Sequence, residues 1–75
     1  MQPTELTALL HRQPFIPFRL LLTTGESYNV AAPGFLWVQR EFADLVTRFN
    51  PRNGVVTQTS RLALNTIERT QDLKA

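Results

Sequence analysis

The chain contains no cysteine, and its formal net charge is only +2 over 75 residues. The first absence excludes a disulfide staple and a thiolate metal site. It also suits a reducing compartment, so the expected location is cytoplasmic. The charge balance, 8 Lys plus Arg against 6 Asp plus Glu, comes without any block of one sign. Seven of the basic residues are Arg, at positions 12, 19, 40, 48, 52, 61 and 69. Such scatter is unlike the basic runs of nucleic-acid-binding arms. No stretch approaches the ~20 apolar residues of a membrane span. Leu6, Ala8, Leu9 and Leu10 lack the preceding basic region of a secretory signal. No membrane partner is expected.

Catalytic material is equally sparse. The one histidine, His11, falls late in the first expected helix, where the helix dipole favours it without any catalytic duty. The multiple His or Cys spacing of a metal site is missing. Gly25, Gly34 and Gly54 stand apart at turns, so no phosphate-cradling loop exists. Ser27 and Ser60 lack the strand–turn–helix context of an activated nucleophile. Glu41 and Asp44 lie three apart and read as a solvated charged face. The expectation is a non-enzymatic protein with no catalytic, metal-binding or cofactor-binding residue and no cofactor.

What is present is apolar. Hydrophobic residues make up 43% of the chain, with five Phe, one Trp and one Tyr. That supports one small packed domain over residues 1–75. Thr4 is placed to cap a short helix, with Glu5 in its first turn. Leu6, Leu9 and Leu10 share one helical stripe. Gln13 precedes Pro14 and is pushed from helical angles, so the helix should end near Arg12. Pro14 and Pro17 keep the next piece extended and outside a central ladder. Their P-x-x-P spacing matches SH3 ligands, but the segment must feed a strand and reads as a structural link.

Phe18 to Thr23 alternates, with Phe18, Leu20 and Leu22 on one face. Glu26 to Ala31 alternates with it, carrying Tyr28 and Val30. A three-residue loop, Thr23-Thr24-Gly25 with Gly25 left-handed, pairs Leu20 with Tyr28 and Phe18 with Val30. A two-residue loop would set apolar against polar faces. Leu21 falls on the opposite face, which points to something covering that side. Pro33-Gly34 breaks the pattern, and Phe35 to Gln39 is the next strand candidate.

Two segments stay ambiguous. Phe42, Leu45, Val46 and Phe49 fit helical spacing, while Leu45, Thr47 and Phe49 alternate. The turn chemistry of Asn50 to Gly54 and the strand-like "VVTQTS" after it favour a strand on both sides. The segment "RLAL" reads as a short turn before a last strand around Asn65 to Thr70, or as the start of a C-terminal helix. The final four residues should fray. The expected core is Leu6, Leu9, Leu10, Phe15, Phe18, Leu20, Leu22, Tyr28, Val30, Val38, Val56 and Ile67.

Gln13, Pro14, Phe15, Pro17, Phe18, Gly25, Val30, Pro33 and Phe35 carry a resemblance. Together they resemble the opening of a family of small uncharacterised bacterial proteins: a short helix, "QPF-x-PF", an apolar strand, a Gly turn, a strand ending in Val, and "HP-x-F". The His before that Pro is Ala32 here. The likeness covers about a third of the chain and implies an architecture and a bacterial origin, with no activity attached. The element order also looks like SH3-like and Sm-like barrels, a fold-level analogy that carries no function.

The expected fold is therefore mostly β (α+β): a short N-terminal helix, then a strongly bent antiparallel sheet or small SH3-like or Sm-like barrel of about five strands. "FLW" and "LLL" cannot put all their side chains on one sheet face. A protein partner, with a strand-mediated or apolar homo-oligomer first, is the expected role. The alternative is an RNA-binding small barrel stacking bases on Trp37 and Tyr28. The candidate interaction surface is Trp37 and its neighbours, or Arg40, Arg48 and Arg52 near the Asn50–Gly54 turn.

Overall fold

A computed structural model describes residues 1–73. Helix α1 spans Pro3–Leu10. Six strands follow: β1 Phe18–Leu22, β2 Ser27–Val30, β3 Leu36–Val38, β4 Phe42–Phe49, β5 Val56–Ala63 and β6 Ile67–Asp72. Single 3-10 turns at Pro33–Phe35 and Leu64–Thr66 precede β3 and β6. The fold is mostly β, as the alternation predicts. Phe42 to Phe49 is strand, and no C-terminal helix forms among the described residues.

Helix α1 departs from expectation at its start. Gln2 is the N-cap, its side chain makes no capping bond, and Pro3 occupies the first turn. Proline suits that position because its missing N–H has no intrahelical acceptor there. Thr4 thus lies inside the helix. His11 closes it, donating its N–H to the Thr7 carbonyl at 3.1 Å. Gln13–Pro14 is cis, and Phe15 to Pro17 runs extended outside the ladders.

The β1–β2 hairpin follows the pairing argument. Phe18 faces Val30 and Leu20 faces Tyr28. Leu22 N–H donates to Glu26 O at 2.9 Å, and Gly25 sits at φ +92°, where a Cβ would be strained. At the other hairpin, Asn50 Oδ1 accepts from Arg52 N–H and Asn53 Oδ1 from Val55 N–H, each at 2.9 Å. These Asx bonds replace ladder bonds through the turn.

The strands form two antiparallel three-stranded sheets, ordered β2-β1-β6 and β3-β4-β5. The barrel expectation is corrected here: among the described residues the sheets do not close on one another, and there are six strands rather than about five. The reason is local. The 3-10 turns separate β2 from β3 and β5 from β6, and the strands on either side of each turn fall in different sheets. One cluster of buried side chains fills the space between the sheets and α1: Leu6 from the helix, Phe18, Leu20, Leu22, Val30 and Ile67 from the first sheet, and Leu36, Ala43, Leu45 and Leu62 from the second, with Leu64 at the turn.

The core expectation needs three amendments. Leu9, Leu10, Phe15, Tyr28 and Val38 are only partly buried at its margin. Val56 is exposed, because β5 runs past the core towards the hairpin tip. Leu36, Ala43, Leu45, Val46, Leu62 and Leu64 are buried in addition to the expected core; Phe42 to Phe49 fits helical and strand periods alike, so the sequence assigns no inward face to β4. Leu21 is half-buried, in register between Ser27 and Arg69.

The chain end is held. Leu73 N–H donates to Pro17 O at 2.8 Å, and Arg12 grips Asp72 at 3.0 Å while also donating to the Ile16 carbonyl. Fraying was expected for the last four residues. Asp72 and Leu73 are paired, and Lys74 and Ala75 lie outside the described residues.

Two substitutions test this arrangement. Phe18 is fully buried, so Phe18→Ala should cost about 3–5 kcal/mol. A core this small rarely supplies more than about 3–5 kcal/mol in total, so circular dichroism should find much of the variant unfolded at 25 °C. Gly25 has open space around it, so Gly25→Ala should cost only the left-handed backbone term, about 1–2 kcal/mol. It should appear as a lower urea midpoint at unchanged slope.

Candidate interaction surface

The second sheet turns one face to the core and the other, apart from the buried Val46, to solvent. Leu36, Ala43, Leu45 and Leu62 point inward, so the residues between them point out. Trp37 faces Asp44 across β3–β4, and Asp44 faces Arg61 across β4–β5. The three form one row over the outer face. Arg61 Nε donates to Asp44 Oδ1 at 3.0 Å and Gln39 Nε2 donates to Asp44 Oδ2 at 2.8 Å. The Arg61 guanidinium lies 5.3 Å from the centroid of Phe42, within cation–π range. The hydrogen bond that Arg61 donates to Asp44, and then the carboxylate's charge, raise the Arg61 pKa above the ordinary value, so the guanidinium stays a cation.

Trp37 is 51% exposed and Phe42 is 38% exposed. The row therefore offers two aromatic side chains and an oriented ion pair on a flat strand surface. Trp37 also borders a groove of about 370 Å³ against α1, together with Thr7, Leu10 and His11.

The candidate arginines do not converge. The Val38–Ala43 pair and the Gln39 N–H to Phe42 O bond, 2.7 Å, leave Arg40 and Glu41 at the tip of the β3–β4 hairpin. Arg48 and Arg52 lie at the opposite end of β4, roughly 25 Å away along an eight-residue strand. Among the described residues none of the three forms an ion pair. Glu41 and Asp44 do not share a helix face, since one is in a turn and the other in β4. Tyr28 belongs to the other sheet, so it does not join Trp37 in a stacking platform.

A second feature lies beside the outer face and was not assigned from the sequence. Phe49 faces Val56 across the β4–β5 hairpin, and the Phe35 and Phe49 rings meet with centroids 5.0 Å apart. Phe49, Val55 and Val56 are exposed at 43%, 55% and 42%. They lead into β5, which among the described residues pairs with β4 on one side and with no strand on the other. The free edges differ in protection. Strand β3 has three residues and β2 has four, and short edges template poorly. Strand β6 carries Glu68, Arg69 and Asp72, and charge blunts an edge. Strand β5 has eight residues and no charge from Val56 to Ser60, with a shift in its pairing at Thr57 as its one irregularity along that stretch. The signal was present in "VVTQTS", a β-branched uncharged run without proline, but that run alone does not say which neighbour it lacks.

Comparison with protein-family models, curated proteins and solved structures finds no match. Among the described residues no group of three His, Cys, Asp or Glu side chains gathers as a metal site, and no helix is long and apolar enough to cross a membrane.

The lone tyrosine gives a check on the surface geometry. Tyr28 Oη donates to Glu26 Oε2 at 3.1 Å, and this bond, with the carboxylate charge, raises its pKa above 10.0. A group raised in the folded state contributes stability fully below its unfolded pKa and loses it as pH rises through the folded value. The effect is therefore confined to alkaline solution. Ultraviolet titration should find the folded phenol above the ordinary value, and Glu26→Gln should return it towards that value.

Proposed function

We propose that this protein is a non-enzymatic interaction module that works by self-association, with the β5 edge as the contact. The observation that carries the reading is the unpaired, uncharged stretch of β5 from Val56 to Ser60. Each unpaired N–H and C=O along such an edge can be satisfied by a strand of another chain. The exposed Val55, Val56 and Phe49 at one end add apolar area to the same side of the molecule.

The sheet order supports reading the fold as an SH3-like arrangement left open, because the last strand follows a 3-10 turn and pairs with the first. We place the protein in the cytoplasm on the strength of its lack of cysteine. RNA binding of the Sm-like type is the weaker reading. Arg40, Arg48 and Arg52 are spread over both ends of the sheet, and Trp37 has no second stacking residue from Tyr28.

Light scattering on size-exclusion fractions at micromolar concentration should give a mass at least twice the 8.6 kDa of one chain. Trp37 is the one tryptophan and sits on β3, at the far edge from β5. Its emission should stay unchanged as the mass grows. A blue shift with association would move the contact to the Trp37 face, and a monomer at all concentrations would remove the reading. Retardation of single-stranded RNA at about 50 mM salt, where phosphate contacts are strong, would favour the RNA reading instead.

A further inference from the structure

In the β1–β2 hairpin the Leu22 N–H donates to the Glu26 carbonyl at 2.9 Å, and the register runs from there without a shift to Phe18–Val30. Antiparallel pairs alternate between bonded and non-bonded. Leu20–Tyr28 and Phe18–Val30 are thus bonded pairs, and Leu21–Ser27 and Arg19–Asn29 are not. Ser27 and Asn29 therefore turn their backbone N–H and C=O groups to the free edge of β2. That edge and the Arg19 side chain border a cleft of about 320 Å³, with Val46 and Thr47 of β4 on its other side.

Arg19 reaches across its pair, and its Nε donates to Asn29 Oδ1 at 3.0 Å. The bond fixes the plane of the guanidinium. Its two terminal nitrogens have no acceptor among the described residues. Among the same residues no carboxylate lines the cleft. Glu26, at the entrance to β2, accepts from Tyr28 Oη and the Thr24 hydroxyl. On the outward face of this sheet Gln71 stands opposite Arg19 and Arg69 opposite Leu21. A second cation is thus diagonal to the first, with Cα atoms roughly 7–8 Å apart. Of the acids on β6, Asp72 is held by Arg12 and Glu68 falls at the shift in the β1–β6 pairing.

This donor set suits an oxyanion. A guanidinium fork is planar and bonds two oxygens of one group at once. The Ser27 hydroxyl, the Asn29 Nδ2 and the outward N–H groups of β2 stand beside it as further donors. The Thr47 hydroxyl is already spent on the Gln58 carbonyl. A carboxylate has two oxygens and one charge, which the fork alone satisfies. A phosphate group has three oxygens and close to two charges, and it uses the fork, the amide and the hydroxyl together. Tyr28 and Val46 give the cleft an apolar side.

We propose that the cleft between β2 and β4 binds a phosphate group, free or as a monoester. Arg19 takes two of its oxygens, Ser27 and Asn29 take the third, and an ester substituent lies towards Tyr28 and Val46. The site uses no part of the β5 edge, so it stands or falls separately from self-association.

NMR titration of the isotope-labelled full chain with phenyl phosphate, inorganic phosphate and acetate tests the site. Either phosphate should shift the Arg19 Nε–H and the Ser27 and Asn29 amide resonances saturably. Arg19→Lys keeps the charge but loses the fork, and should weaken binding roughly tenfold or more. Arg52→Lys, at the far β4–β5 turn, should leave it unchanged. Ser27→Ala alters only an exposed side chain and should weaken binding even if Arg19→Lys perturbs the fold. Tighter binding of phenyl phosphate makes the ligand a monoester, and equal binding makes it free phosphate. Shifts that grow without saturating, acetate binding as tightly as phosphate, or a folded Arg19→Lys chain that titrates like the unmodified one would overturn the proposal.

Discussion

Strand β1 pairs on both of its edges, with β2 through the Gly25 hairpin and with β6 at the far end of the chain. The other parts of the structure are arranged around that double ladder. It brings residues more than forty positions apart into register and aims Phe18, Leu20 and Leu22 into a common interior. The proline-bounded segment before it gives β1 no helical alternative, and Arg12 ties that segment to Asp72. The helix then drops Leu6 onto the same interior. A chain of this length has little apolar surface to bury, so losing either ladder would expose most of what it has.

The second sheet answers a different constraint. It supplies Leu36, Ala43, Leu45 and Leu62 to the interior but extends beyond it, so the β4–β5 hairpin carries its apolar tip into solvent. Inside the footprint of the core, outward residues are organised: Asp44 is held by Gln39 and Arg61, and Arg61 rests on Phe42. Outside that footprint, Phe49, Val55 and Val56 have little to pack on beyond Phe35. The contrast within one sheet locates the self-association contact proposed here at the tip and free edge rather than on the ordered face.

Local chemistry was the legible part. The prolines, Gly25 and Asn50–Gly54 marked the turns because each acts on its own backbone or the next residue, and the β1–β2 register followed from matching faces. Faces in β4 and β5 were not legible, since Phe42 to Phe49 satisfies helical and strand periods together and the two shifts in its pairing with β5 break simple alternation. The candidate site fared similarly. Trp37 could be singled out as a large residue on a crowded strand. Its neighbours Asp44, Gln39 and Arg61 are set by a register that depends on pairs distant in sequence, and the arginines chosen by proximity to a turn ended up apart.

By itself the sequence determined a short helix, a proline-steered entry, a Gly25 hairpin with one apolar face, and a composition without cysteine and with a single histidine. Those follow from steric limits on φ, from side-chain period and from composition, which act over a few residues. Tertiary structure alone decided that the strands divide into two open sheets, that β6 closes on β1, and that, among the described residues, β5 keeps one edge unpaired. Each of these depends on which strand meets which across long stretches of chain. The choice is made by the fit of all the buried side chains at once, and no short segment carries it.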